Sequence, residues 1–190
     1  MSLLIDDVSK PSLRQHIGRL LSSCSAAEIA VRHIRLAALD LTERETGSIE
    51  RCRILIGRLE VRSLTDFGFD DPDAPGRLRA LRTFLESGRV EVRGAGLDAW
   101  SPDFSVYRGL SGAVHRDARP RGLSDAVPDG ACLIGAHYFR EPPSHTGPSF
   151  TALMTDPQSV GVALARFEAL WERSHDVLEP LLSAVHQRRS

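Results

Sequence analysis

What most constrains this chain is the way its apolar runs are joined. Residues 28–36 and 52–59 read as strands set apart by helical patterns. The strand-like runs at residues 90–92, 104–107, 131–139 and 150–154 instead follow one another with no helix between them. Consecutive strands that lack a crossover helix cannot all run parallel. The order helix, strand, helix, strand, helix, four strands, helix therefore predicts an α/β fold, a mixed β-sheet with helices packed on its faces. Within it, Cys52-Arg53-Ile54-Leu55-Ile56-Gly57 is apolar enough to lie centrally.

The helices follow from spacing and stop signals. Behind Pro11 and Ser12, the residues Leu13, Ile17, Leu20 and Leu21 recur at helical intervals over residues 12–23, with Arg14, Gln15 and Arg19 on the polar side. Residues 37–51 are also helix-like. Leu78, Leu81, Phe84 and Leu85 share one face of a helix that Gly88 stops in a left-handed turn. Asp156 is a capping residue and Pro157 suits a first turn. A long helix is therefore expected there, with Val160, Leu164, Phe167 and Trp171 as its apolar stripe, until Pro180 breaks or kinks it. Residues 66–76, 109–129 and 141–148 read as loops by their Gly, Pro, Asp and Ser content. The expected organisation is a short arm, residues 1–11, followed by one domain over residues 12–190, without repeats.

A chain of 190 residues can bury a substantial core without metals or disulfides. Cys24, Cys52 and Cys132 are far apart in sequence and lie in apolar surroundings, which predicts buried thiols. No C-x-x-C pair and no finger-like Cys and His spacing is present, so no metal site and no cofactor is expected. A net charge of -1 excludes a protein drawn to nucleic acid or anionic lipid by bulk charge. Residues 1–7 carry acids and no basic segment, and no apolar run approaches the ~20 residues of a membrane span. A cytoplasmic protein without membrane contact is expected. Lys10 is the single lysine, so nearly all positive charge is arginine.

Three segments carry a resemblance. They are Cys52-Arg53-Ile54-Leu55-Ile56-Gly57 before a loop, the run from Leu78 to Val92, and Ala131-Cys132-Leu133-Ile134-Gly135-Ala136. The close of the chain, Phe150-Thr151-Ala152-Leu153-Met154-Thr155-Asp156-Pro157 followed by Phe167-Glu168-Ala169-Leu170-Trp171, adds to them. In this order and spacing they resemble the phospholipase D-like superfamily in its bacterial single-copy form, over most of the chain. The resemblance implies a phospholipase D-like half-domain that pairs with a second copy, so a homodimer is expected. Activity in that family depends on H-x-K-x-x-x-x-D, whose histidine attacks phosphorus, whose lysine neutralises phosphate oxygens and whose aspartate lies seven residues after the histidine. Here Ser101 stands at the histidine position, Asp103 at the lysine position and Arg108 at the aspartate position. The G-S-x-N-like element keeps Gly135 but has Ala136 for the hydroxyl residue and Tyr138 for the amide. Asp103 would oppose an anion where the family's lysine attracts one. No catalytic residue of the family is therefore expected to act here.

Other residues invite a functional reading beside a plainer one. Ser101, Asp103, Ser105 and Tyr107 alternate with apolar neighbours, which would place four polar groups on one strand face. They suit a small-ligand pocket together with His137 and Tyr138; the plainer account is a half-exposed strand and a histidine satisfied by backbone or solvent. Arg116, Arg119 and Arg121 form a basic loop able to grip phosphates, diluted by Asp117 and Asp125 and without interleaved aromatics. His115 in that loop and His33 read as solvated and structural residues. Phe167 and Trp171 read as core contacts.

The expectation is thus a non-catalytic phospholipase D-like domain that serves as a binding or assembly module. Two alternatives stand beside it. One is a diverged hydrolase using Ser101, His137 or His115; the other is a regulatory or defence-system domain that binds nucleic acid or a protein partner.

Overall fold

The computed structural model describes residues 2–6, 13–34, 43–59, 74–95, 103–110, 130–135 and 150–186. Its strands are β1 (Ser2–Asp6), β2 (Ala26–Ile34), β3 (Arg51–Leu59), β4 (Val90–Gly94), β5 (Phe104–Arg108), β6 (Gly130–Ile134), β7 (Phe150–Met154) and β8 (His175–Asp176). They form an eight-stranded sheet in the order β1-β7-β6-β5-β2-β3-β4-β8. Strands β2, β3 and β4 pair in parallel, with Ile29 opposite Ile54 and Ile54 opposite Val92. Strands β5, β6 and β7 extend the sheet from β2 in antiparallel steps, and β1 pairs antiparallel to β7. Parallel pairing on one side of β2 and antiparallel pairing on the other give the mixed sheet that the sequence order predicts.

The helices are α1 (Leu13–Leu21), α2 (Glu43–Thr46), α3 (Ala74–Leu85), α4 (Pro157–Trp171) and α5 (Leu178–His186). Side-chain alternation in the strands divides the core in two. Ile29, Cys52, Ile54, Ile56, Val92, Tyr107 and Leu133 point to a layer shared with Ile17 and Leu21 of α1, Leu81 and Leu85 of α3, and Leu181 of α5. Ala30, Leu55, Phe104, Val106 and Cys132 point the other way, onto Ala163, Phe167, Leu170 and Trp171 of α4. All three thiols are free and buried.

Several details differ from the sequence expectations. The segment read as an arm contributes edge strand β1 at Ser2–Asp6. Only Glu43–Thr46 of the helix expected over residues 37–51 is helical among the described residues. The strand expected over residues 131–139 stops at Ile134, because Gly135 takes φ 84 and turns the chain. Gly88 has the expected positive φ, 72. Asp156 caps α4 as expected, its carboxylate accepting from the Ser159 backbone N–H at 2.8 Å. The buried stripe of α4, however, includes Ala163 and Leu170, with Leu164 half-buried. Pro180 kinks nothing: α4 has already ended at Trp171, β8 intervenes, and Pro180 lies in the first turn of α5, where a missing N–H costs no helical bond. No helix among the described residues is long and apolar enough to cross a membrane.

Candidate functional site

The resemblance directs attention to the end of β5 and its neighbour β6. Phe104 lies opposite Ile134, and one step beyond, the Gly135 N–H donates to the Asp103 carbonyl at 2.8 Å. The residue that the sequence resemblance sets at the lysine position is thus brought beside Gly135. Alternation puts Asp103, Ser105 and Tyr107 on one face of β5, with Phe104, Val106 and Arg108 on the other.

That polar face is not half-exposed. Asp103 is 5% exposed and Ser105 3%, and Tyr107 is buried with them. The Ser105 hydroxyl donates to the Tyr107 phenol oxygen at 3.0 Å. On β7, buried Thr151 donates through Oγ1 to the Gly135 carbonyl at 3.3 Å, tying the third strand to the same spot. An alternating pattern fixes which residues share a face, not what covers it, and here Tyr107 of that face turns into the layer shared with α1, α3 and α5. Ser101, His115, Arg116, Arg119, Arg121, His137 and Tyr138 lie outside the described residues.

A second constellation escaped the sequence reading. On the α4 side of the sheet, Glu28 of β2 is 0% exposed and accepts from two arginines. Arg53 of β3 donates from Nη2 to Glu28 Oε1 at 3.1 Å, and Arg108 of β5 grips the same carboxylate with Nε at 3.2 Å to Oε2 and with Nη2 to Oε1. Arg53 also donates from Nη1 to Glu168 Oε2 of α4 at 2.9 Å. Its guanidinium carbon lies 5.0 Å from the Phe167 ring centroid and 5.4 Å from that of Trp171, a cation–π arrangement under the helix. The Arg53 hydrogen bonds hold the Glu168 carboxyl below its usual range. Glu168 foremost holds Arg53 above its ordinary value, and Glu28 does the same for Arg108. The signal available in sequence was one charge of each sign inside apolar strand runs, Ala27-Glu28-Ile29 and Cys52-Arg53-Ile54.

The chemistry follows from these contacts. Arg108, which the sequence resemblance sets at the aspartate position, is engaged with Glu28 across the sheet and points away from Asp103. Both guanidiniums of the network face carboxylates. Among the described residues, no group of three or more His, Cys, Asp or Glu is arranged to hold a metal ion.

No protein-family model matches the sequence, and no curated protein matches it. Solved structures do resemble the fold. NucT from Helicobacter pylori has a TM-score of 0.55 at 11% identity, over 93% of this chain and 99% of that one. Nuc from Salmonella typhimurium, a phospholipase D family member, has a TM-score of 0.51 at 9% identity, over 93% and 97%. TrmBL2, an archaeal chromatin protein described as showing a novel mode of DNA binding, has a TM-score of 0.52 at 12% identity over 93% of this chain. The chain spans about half of that protein's length, 53%. At these identities the likeness shows the fold: a mixed sheet flanked by helices, the architecture that this chain shares with phospholipase D family members.

Proposed function

We propose that this chain is a non-catalytic phospholipase D-like domain acting as a binding or assembly module, paired as a homodimer. The observation that carries this reading is Asp103, a buried carboxylate held beside Gly135 at the position where the resembled family places its phosphate-binding lysine. A negative charge in a low-dielectric setting repels a phosphodiester, and the repulsion grows as water is excluded. Arg108 does not compensate, since it faces Glu28 on the other side of the sheet. The test is hydrolysis of a chromogenic phosphodiester by the full chain, alongside light scattering at micromolar concentration. The expected results are no turnover above background and the mass of a dimer. Turnover abolished by Ser101→Ala or His137→Ala would establish the diverged hydrolase instead, and a monomer would remove the pairing.

The likeness to a DNA-binding chromatin protein supports a second reading, in which the module binds nucleic acid through Arg116, Arg119 and Arg121. Its signature is affinity that falls steeply with salt and loses slope when those arginines are replaced. Binding insensitive to salt would count against it.

A further inference from the structure

On the sheet face opposite Asp103, α4 does not close fully over β5, β6 and β7. A cavity of about 430 Å³ remains there, within the range of small-molecule sites. Its strand wall is Phe104, Ile134 and Met154, and its helix wall is Val162 and Ala163. Val162 is 66% exposed, a large apolar side chain left in water at the rim. Ala163 is buried, and its short side chain leaves the space that a larger residue would fill.

We propose that this groove binds an amphipathic carboxylate, a medium-length acyl chain with one acidic head. The apolar walls select the chain, and charge selects the head and its direction. Arg166 stands at one end of the lining and Gln158 at the other, about 12 Å apart along α4 at 1.5 Å per residue. The Gln158 end adjoins the Asp156 carboxylate, which is fixed on the Ser159 N–H. An anionic head is therefore repelled from that end and drawn toward the positive charge of Arg166. Phe104, Ile134 and Met154 contribute no charge from the strands. The site is separate from the Asp103 face and stands whether or not the chain is catalytic.

The test is calorimetric titration of the full chain with decanoate, decan-1-ol and decylamine. Decanoate should bind saturably and most tightly, decan-1-ol more weakly, and decylamine weakest. Arg166→Gln should weaken decanoate by up to about fivefold, the scale for an exposed charge pair, and leave decan-1-ol unchanged. Ala163→Trp should abolish both; because it alters a buried position, Val162→Glu is the companion variant, placed at an exposed rim where folding is not at risk. It should weaken decanoate more than decan-1-ol. Absence of saturable decanoate binding, or equal losses for acid and alcohol in Arg166→Gln, would overturn the proposal. So would unchanged decanoate binding in Val162→Glu together with a halved molecular mass, which would mean that a second copy covers the groove.

Discussion

Arg53→Met isolates the buried charge network, because methionine keeps an apolar side chain that can lie against Phe167 and Trp171 while removing the guanidinium. The substitution deletes the hydrogen bond to fully buried Glu28 and both links to Glu168. Removing one partner of a buried ion pair costs about 3–5 kcal/mol, because the other charge stays buried. The lower end applies here, since Glu28 keeps Arg108 and the Glu168 side chain is 43% exposed to water. A loss of about 3 kcal/mol corresponds to roughly 6–12 °C in Tm for a chain of this size.

The assay is urea unfolding followed by circular dichroism, in which the midpoint should fall with an unchanged slope. Glu168→Gln, which neutralises the half-exposed partner, should cost about 1 kcal/mol or less. Glu28→Leu with Arg53→Met should be less destabilised than the sum of the single variants, as Arg108 can turn to solvent once its carboxylate is gone. Equal costs for Arg53→Met and Glu168→Gln, or an Arg53→Met variant as stable as the parent, would refute the assignment of Glu28 as the buried centre of the network.

Acid should weaken the fold through Glu168: its carboxyl is held below the ordinary 4.5, so its contribution is complete above that pH and is lost as pH falls through the lowered value. Stability curves for Glu168→Gln should be flatter in that window, and an unchanged slope would count against the contact. His16 lies below its usual 6.5 because of burial and then Arg19, so protonation opposes folding as pH drops below about 6.5, and His16→Gln should flatten that limb. Burial pushes the Cys24 thiol up to about 12 and the Cys132 thiol to about 11, and raises Cys52 as well. All three should be inert to a thiol reagent at neutral pH in the native chain and react in denaturant. Ser101→His with Asp103→Lys and Arg108→Asp should not create a good phosphodiesterase, and it should also lower stability by placing a carboxylate beside Glu28; rapid turnover of a chromogenic phosphodiester would show the cleft still organised for phosphoryl transfer.

The α/β fold was legible because it depends on local periodicity and on which strands have helices between them. Both are written along the chain. The ends of the sheet were not legible for a physical reason: β8 is the pair His175–Asp176, too short for any period, and β1 joins β7 across the length of the chain. The polar face of β5 was found by its alternation, but the burial of Tyr107 comes from a layer shared with α1, α3 and α5, which arrive from distant segments. The charge network is the hardest case. Glu28, Arg53, Arg108 and Glu168 come from four elements, and each looks like a surface charge until the strand register and the packing of α4 bring them together.

Asp103 and Arg108 also bear on whether the altered motif is a loss or a rearrangement. An acid at the lysine position and an arginine at the aspartate position would look like an exchange of charges that preserves the pair. The strand forbids it. The two lie five positions apart, an odd step, so their side chains leave opposite faces of the extended chain, and at about 3.4 Å per residue they are roughly 17 Å apart along it. Arg108 is satisfied on its own face by Glu28, and Asp103 is buried on the other with Ser105 and Tyr107. Neither side chain can stand in for the other, and in the proposed reading the Gly135 end of β6 carries a carboxylate where the resembled family carries a lysine.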